Sequence, residues 1–374
     1  MAAIDRSMRQ PEPVTSRPSE GVLNVAFGRS PADAVGILKT TVLPSLGLHG
    51  GLSIMTYGIA RATNRVDLKD WLWPSGMVLN AWWTAVGRHL IMNNDSAGRV
   101  FAGLSFYQQA LLGAVTLWGG RLFTRIVSRC LKRKEDDPRY QQLKQEPRFW
   151  NTTAVLQFGV EAVAQAVIPL PFTLPFNLDH VGDLSGPTRE IAVYARWLGA
   201  GLFTAGLTLE ILADWQLESH KNKQLKENGQ DSDLCRSGVW SIVRHPNYLG
   251  DALVHFSFPL WAYGARLFSP WMLLGPVANY AFLRFVGGDR ENEASQLERY
   301  SAQNPKKYAQ LQQWQQTENS FWPSLRQVAN PWTIAVIGVG ALGAFGQSYL
   351  EGVAAGTAPG LAEGMSNAYV TSAP

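Results

Sequence analysis

Apolar residues in this chain come in blocks, and the blocks are divided by short, strongly polar connections. Blocks rich in Leu, Val, Ala, Phe, Trp and Gly lie near 41–60, 71–87, 103–120, 153–176, 191–213, 247–264, 270–287 and 332–350. A helix rises about 1.5 Å per residue, so roughly 20 residues match the ~30 Å apolar layer of a bilayer. The pattern predicts an all-α fold, a polytopic transmembrane helical bundle of six to eight spans.

The ends of the chain read differently. Residues 1–35 place Arg6, Arg9, Arg17 and Arg29 among Asp5, Glu12, Glu20 and three prolines, with no apolar core for a secretory signal. They read as a disordered tail. A mitochondrial transit helix is the rival reading, but Pro11, Pro13, Pro18 and the acids spoil its amphipathic face. Residues 36–130 hold the amino-terminal spans, 131–331 a second membrane domain, 332–350 a last helix, and 351–374 a flexible tail of Ala, Gly, Ser, Pro and Thr.

Composition sharpens the membrane reading. Only 17% of the 374 residues are charged, while Trp numbers 14 and Gly 35, and the mean hydropathy of −0.08 averages apolar blocks with very polar loops. A net charge of +4 invites a nucleic-acid reading, but the basic residues fall between the apolar blocks and no nucleic-acid motif accompanies them. They alternate from side to side. The segments 61–70, 121–148, 215–245 and 288–331 are rich in Lys and Arg, including Arg121, Arg125, Arg129, Lys221, Lys223 and Arg290. The opposite connections carry Arg88, Arg99, Arg189 and Arg266. Positive loops remain cytoplasmic, so the first set is expected to face the cytosol. Cys130 and Cys235 have neither disulfide nor zinc spacing, and no metal site is expected.

The chemistry concentrates in 237–251, where Arg244, His245, Asn247, Tyr248 and Asp251 stand at the mouth of an apolar block. Pro246 suits a first helical turn and pushes His245 into an extended conformation, which would leave backbone amides beside Arg244 and His245 open to an anion. Glu161, Arg196, Glu210, Asp214, Asp251, His255 and Arg284 lie within or at the ends of apolar blocks, where charge is costly and marks candidate sites. Each has a plainer alternative: Glu161 and Arg196 as partners between helices, His255 as a core histidine, and Lys221 and Lys223 as helix-anchoring flanks rather than phosphate ligands. The polar stretch 289–308 reads as a helical lid or as a solvated connection. Gly287-Gly288 is a hinge or cap, since no Gly-x-Gly-x-x-Gly follows a strand.

The octapeptide Arg244-His245-Pro246-Asn247-Tyr248-Leu249-Gly250-Asp251, preceded by Ser237-Gly238 and Trp240, resembles the motif of NADPH-dependent membrane sterol reductases. With 135–140, 212–217 and 308–323, the chain is similar to the DUF1295 branch of the steroid 5-alpha-reductase-like superfamily. The resemblance implies reduction of a carbon–carbon double bond in a steroid-like or other lipid substrate, with NADPH as cofactor. It places Asp214, Lys221, Trp240, Arg244, His245, Asn247, Tyr248, Asp251, Arg284 and Arg290 around that cofactor, and makes the amino-terminal helices the lipid-substrate side. It further implies an endoplasmic reticulum protein with bilayer and lipid as partners, and leaves the oligomeric state open.

Two departures qualify it. Asp251 stands where 5-alpha-reductases carry Glu, and Arg290-Glu291 is followed by Asn292-Glu293 rather than by Asp-Glu. Isoprenylcysteine and phospholipid methyltransferases share Arg-His-Pro-x-Tyr-x-Gly and bind S-adenosylmethionine, so a methyltransferase is the alternative, and a non-catalytic protein retaining the fold is a third. The reduction needs a proton donor, for which Tyr57, Tyr107, Glu161 and Tyr300 are candidates. Removing Asn247 or Asp251 is expected to weaken cofactor binding rather than folding.

Overall fold

A computed structural model gives the fold and describes residues 31–133, 135–177, 187–354 and 356. Most of the two expected tails, 1–30 and 357–374, lies outside the described residues. A short helix, Pro31–Ile37, already begins inside the stretch read as the first tail. Among the described residues the elements are all helical.

Every apolar block becomes a helix. The labelled helices are α1 (Leu43–Thr63), α2 (Leu68–Trp82), α3 (Phe106–Arg133), α4 (Thr153–Val167) and α5 (Pro187–Asn228). They continue with α6 (Pro246–Gly264), α7 (Leu274–Ala281), α8 (Asp289–Gln303), α9 (Pro305–Thr317) and α10 (Pro331–Ala354). Local chemistry sets their ends. Asn64 closes α1 in the left-handed region at φ 55°, a conformation asparagine tolerates. Pro246 occupies the first turn of α6, and the Asn304 side chain caps α9 by accepting from the Lys307 amide at 3.0 Å.

Helices α5 and α6 pack antiparallel at a separation only glycine permits. A β-carbon on Gly206 would lie 2.6 Å from the Gly250 carbonyl oxygen, and one on Gly250 would lie 2.6 Å from that of Gly206. Farther along the pair, Gly199 faces the Trp261 backbone and Gly264 faces Ala192. Helix α10 docks on the same α5 through Gly340, against the Gly201 backbone. Small residues at seven-residue spacing are how helices pack closely where burial of apolar surface gives little drive. The main core forms where α3 and α6 meet the bend at Leu170–Thr173, around the fully buried Trp118, Phe172 and Phe258.

The outer surface carries an apolar belt. Ile54 and Met55 on α1, Leu117 on α3, Leu156 on α4, and Leu342 and Phe345 on α10 are all more than half exposed. Such a surface is what lipid, not water, would cover. By length and apolarity, however, only α3 and α10 among the described helices qualify as membrane-crossing, with a third if Phe149–Val167 and Leu170–Phe176, bent by 48°, form one span. The expected six to eight spans are therefore reduced to two or three by this measure. The physical reason lies in composition: α1 mixes Gly, Ser, Thr and His into its 21 residues, α2 is 15 residues long, and α5 carries Arg196, Glu210 and Asp214.

Candidate functional site

One turn into α6, Asn247 and Asp251 stand four residues apart and line a cavity of about 400 Å³ together with Tyr248. Asp251 is 6% exposed and fully engaged: Trp118 Nε1 donates to its Oδ1 at 3.0 Å and Asn279 Nδ2 to its Oδ2 at 2.8 Å. Asn247 is the reverse case, because its Oδ1 is buried and has no hydrogen-bond partner among the described residues. Tyr248 stacks on His245 with ring centroids 5.3 Å apart and planes within 9°.

The wall beside them is a ladder of charges between α3 and α5, which run parallel. Arg121 Nη1 meets Glu210 at 2.5 Å, and Arg121 also pairs with Asp214. Arg125 pairs with Glu218 and lies 3.6 Å from Asp214, and Lys132 reaches Glu218 at 3.0 Å. Both sequences repeat every fourth residue, 121–125–129 against 210–214–218, and then the acids stop, because position 222 is Asn. Arg129 lines the cavity at this point and has no ion pair or hydrogen bond among the described residues. Lys221, likewise without an ion pair, lies within electrostatic reach of it.

The opposite wall is a second polar cluster. Lys69 pairs with Glu161, Arg139 Nη2 donates to Asp70 at 2.9 Å, and the Tyr140 hydroxyl donates to the other Asp70 oxygen at 2.9 Å. Burial pushes the Tyr140 phenol up, and the Asp70 carboxylate adds to the effect against Lys69 and Arg139, so it stays protonated. Between the two walls the lining is apolar, with Trp73, Leu156, Val160, Phe282 and Val286. The cavity thus draws on both sides of residue 130.

Several expected site residues hold the wall instead of facing the cavity. Arg244 donates from Nε and Nη2 to the two Glu293 oxygens at 2.9 and 3.0 Å, and also to the Glu318 carbonyl. His245 Nε2 shares Glu293 at 2.8 Å. Burial alone would raise the Glu293 carboxyl, but the bonds from His245 and Arg244 bring it down to about 2. The amides of Arg244 and His245, expected to be open, donate to Asn319 O and Ser320 O at 3.0 Å each, so a strap after α9 fills the expected anion site. Trp240 Nε1 donates to Ala213 O at 2.9 Å. Arg284 is tied to Asp289 and to Ser320 Oγ at 2.9 Å, while Arg290 is exposed, 4.8 Å over the Phe285 ring.

Of the named cofactor residues, the structure therefore brings Asp214, Asn247, Tyr248 and Asp251 together at the cavity, with Lys221 exposed farther along α5. Of the named proton donors only Glu161 lines it. The Tyr57 hydroxyl donates to Trp150 O, Tyr300 lies beside Lys307 and Arg299, and Tyr107 lines a different cavity. In the sequence Arg121, Arg125 and Arg129 read as topology signals, Arg139 and Tyr140 belong to the family-like stretch 135–140 without a site role, and Asp70 has none. The four-residue repeat of arginines facing a four-residue repeat of acids was the available sign.

The family model described as a protein of unknown function (DUF1295) matches residues 56–314. No curated protein and no solved structure matches the chain.

Proposed function

The chain belongs to the DUF1295 family, and we propose that it is a membrane oxidoreductase that reduces a carbon–carbon double bond of a steroid-like or other lipid substrate with NADPH. The reading includes an endoplasmic reticulum location, more spans than the two or three most apolar helices, and the Arg129–Lys221 end on the cytosolic side. It takes up the likeness of residues 244–251 to the sterol-reductase motif. The observation that carries it is the unpartnered Asn247 Oδ1 in a cavity that also presents the unpaired Arg129.

These groups fit the cofactor. A buried carbonyl without a donor suits a carboxamide N–H, and unpaired cations suit phosphates. At about 400 Å³ the cavity lies in the roughly 300–1,000 Å³ range of small-molecule sites. NADPH supplies a hydride when bound. The chain's part is to orient the substrate against the apolar lining, exclude water, and hold the proton that completes the saturated C–H pair. Tyr140 lines the cavity and takes the proton-holding role, its hydroxyl turning to the substrate from Asp70, to which it donates at 2.9 Å. Asp251 and Glu210 shape the cofactor wall.

One observation favours the methyltransferase alternative. Among the described residues Glu291 lines the cavity without an ion pair, and Glu210, although paired with Arg121 through Oε2, leaves Oε1 buried without a partner, acids that suit a sulfonium cation. Titrating the detergent-purified protein with NADPH, NADH and S-adenosylmethionine, read by quenching of tryptophan fluorescence, separates the two. NADPH is expected to saturate at lower concentration than NADH, and Arg129→Gln to lower its affinity about tenfold, the scale of a charge-assisted bond. Saturation by S-adenosylmethionine with no response to NADPH would sink the reductase.

A further inference from the structure

A second cavity of about 480 Å³ opens at the other end of the bundle, between the start of α3, the end of α6, α5 and α10. From Tyr107 in this cavity to Arg121 in the first is 14 residues of α3, roughly 21 Å at the helical rise. It is therefore a separate site, and nothing in the proposed reduction uses it.

The charges around it are already matched. Arg196 donates from Nη1 to Gly264 O at 2.9 Å, and its Nε lies 3.5 Å from Glu351 Oε2, an ion pair that leaves no net charge. Arg266 also lines the space and has a partner of its own. What stays open is neutral. Tyr107 is 8% exposed, and its buried hydroxyl has no hydrogen-bond partner among the described residues. Gln347 donates from Nε2 to the same Glu351 oxygen at 2.8 Å and leaves its own Oε1 buried with no donor. The cavity therefore offers a phenol O–H and a carboxamide oxygen, each without a partner.

A hydroxyl answers both, because it has one O–H to donate to Gln347 and lone pairs to accept from Tyr107. Other head groups leave one atom unmet: a carboxylate has no proton for Gln347 and would face Glu351, an ammonium has no lone pair for Tyr107, and an ester has no donor. The rest of the lining is apolar, including Phe106, Val193 and Trp261, the last set edge-on to the Tyr107 ring at 5.6 Å. Beside it α5 turns Ile191, Trp197 and Leu198 outward onto the apolar belt. The volume lies within the roughly 300–1,000 Å³ of small-molecule sites. We propose that this cavity binds a membrane alcohol, an uncharged lipid whose hydroxyl sits between Tyr107 and Gln347 and whose apolar body extends along α5 to the bilayer. A sterol and a long-chain fatty alcohol share this chemistry.

Photolabelling of the full chain in phosphatidylcholine vesicles, with no nucleotide present, tests it with two probes, a diazirine analogue of cholesterol and one of hexadecanol. At least one should label saturably on the stretches that hold Ala192, Val193 or Trp261, and the probe that does so identifies the source of the hydroxyl. The unmodified alcohol should compete, and its methyl ether, which has no O–H for Gln347, should compete at least tenfold more weakly. Tyr107→Phe and Gln347→Leu should each raise the half-saturating probe concentration about threefold, the scale of a neutral hydrogen bond. Tyr107→Phe removes only a hydroxyl that has no partner, so it keeps the fold and decides the question should Gln347→Leu fail to fold. Failure of both probes to label, a methyl ether that competes as well as the alcohol, or parental half-saturation in Tyr107→Phe would each overturn the proposal. So would label confined to Leu156 and Val160, which would make the alcohol a ligand of the first cavity alone.

Discussion

Asn247 and Asp251 share one face of one helical turn, yet their substitutions should part company. Asp251 satisfies two buried donors, so Asp251→Ala orphans Trp118 Nε1 and Asn279 Nδ2 at about 1–3 kcal/mol each and should lower the detergent melting temperature sharply. This corrects the expectation that its loss would spare folding. Asn247→Ala removes an oxygen that has no partner in the protein, so stability should hold within about 0.5 kcal/mol while NADPH affinity falls roughly three- to tenfold. Parental NADPH affinity in that variant would remove Asn247 from the site. Glu293 gives a residue-scale prediction in pH. Its folded value of about 2 lies below the ordinary 4.5, so its contribution is present above about pH 4.5 and is lost as pH falls toward 2. At 1.36 kcal/mol per pH unit this amounts to about 3 kcal/mol. Melting curves between pH 6 and 3 should show a decline that Glu293→Gln lacks, and parallel profiles would mean the clamp on Arg244 and His245 contributes nothing through its charge.

Between elements, charge and close contact play different parts. Arg121 neutralises Glu210 and Asp214 across α3 and α5, so Arg121→Leu strands Glu210, leaves Asp214 only its 3.6 Å contact with Arg125, and should cost about 3–5 kcal/mol. Arg129, two rungs on, is unpaired among the described residues, and Arg129→Gln should melt within about 0.5 kcal/mol of the parent. If both variants melt alike, the ladder is not what joins the helices. On the other side of α5, Gly250→Ala would press a β-carbon on Gly206 O and Glu210, forcing α5 and α6 apart at about 1–3 kcal/mol. Much of this was legible in the chain. The eight apolar blocks did become helices, Pro246 did start α6, and four of the ten residues expected around a cofactor do line the cavity. Partners far apart in sequence were not legible. Trp118 and Asp251 are 133 positions apart, and nothing local marks Glu293 as the acid that withdraws Arg244 and His245 from the cavity. Arginines at 121, 125 and 129 satisfy the positive-inside pattern equally well whether they anchor a helix or face acids on a neighbour, so only the packing of α3 on α5 separates the two.

The whole molecule is polarised along its helices, with the ladder, the unpaired Arg129 and Lys221, and the polar helices α8 and α9 at one end. The cavity lined by Tyr107 and the sparse Arg88, Arg99 and Arg266 are at the other. Lys and Arg excess resists translocation, so the ladder end should lie in the cytosol, where NADPH would reach the first cavity directly. Two exposed positions report on this, Ser301 at the end of α8 and Ala97 in the connection before α3. The native thiols Cys130 and Cys235 are buried and should contribute little background. In sealed vesicles with the cytosolic face outward, a membrane-impermeant maleimide should label Ser301→Cys at once and Ala97→Cys only after permeabilisation. The reverse order would turn the protein over and separate the first cavity from cytosolic NADPH. Labelling of both positions without permeabilisation would mean an even number of crossings between residues 97 and 301, which would place both ends of the bundle's charge asymmetry on one side and overturn the orientation.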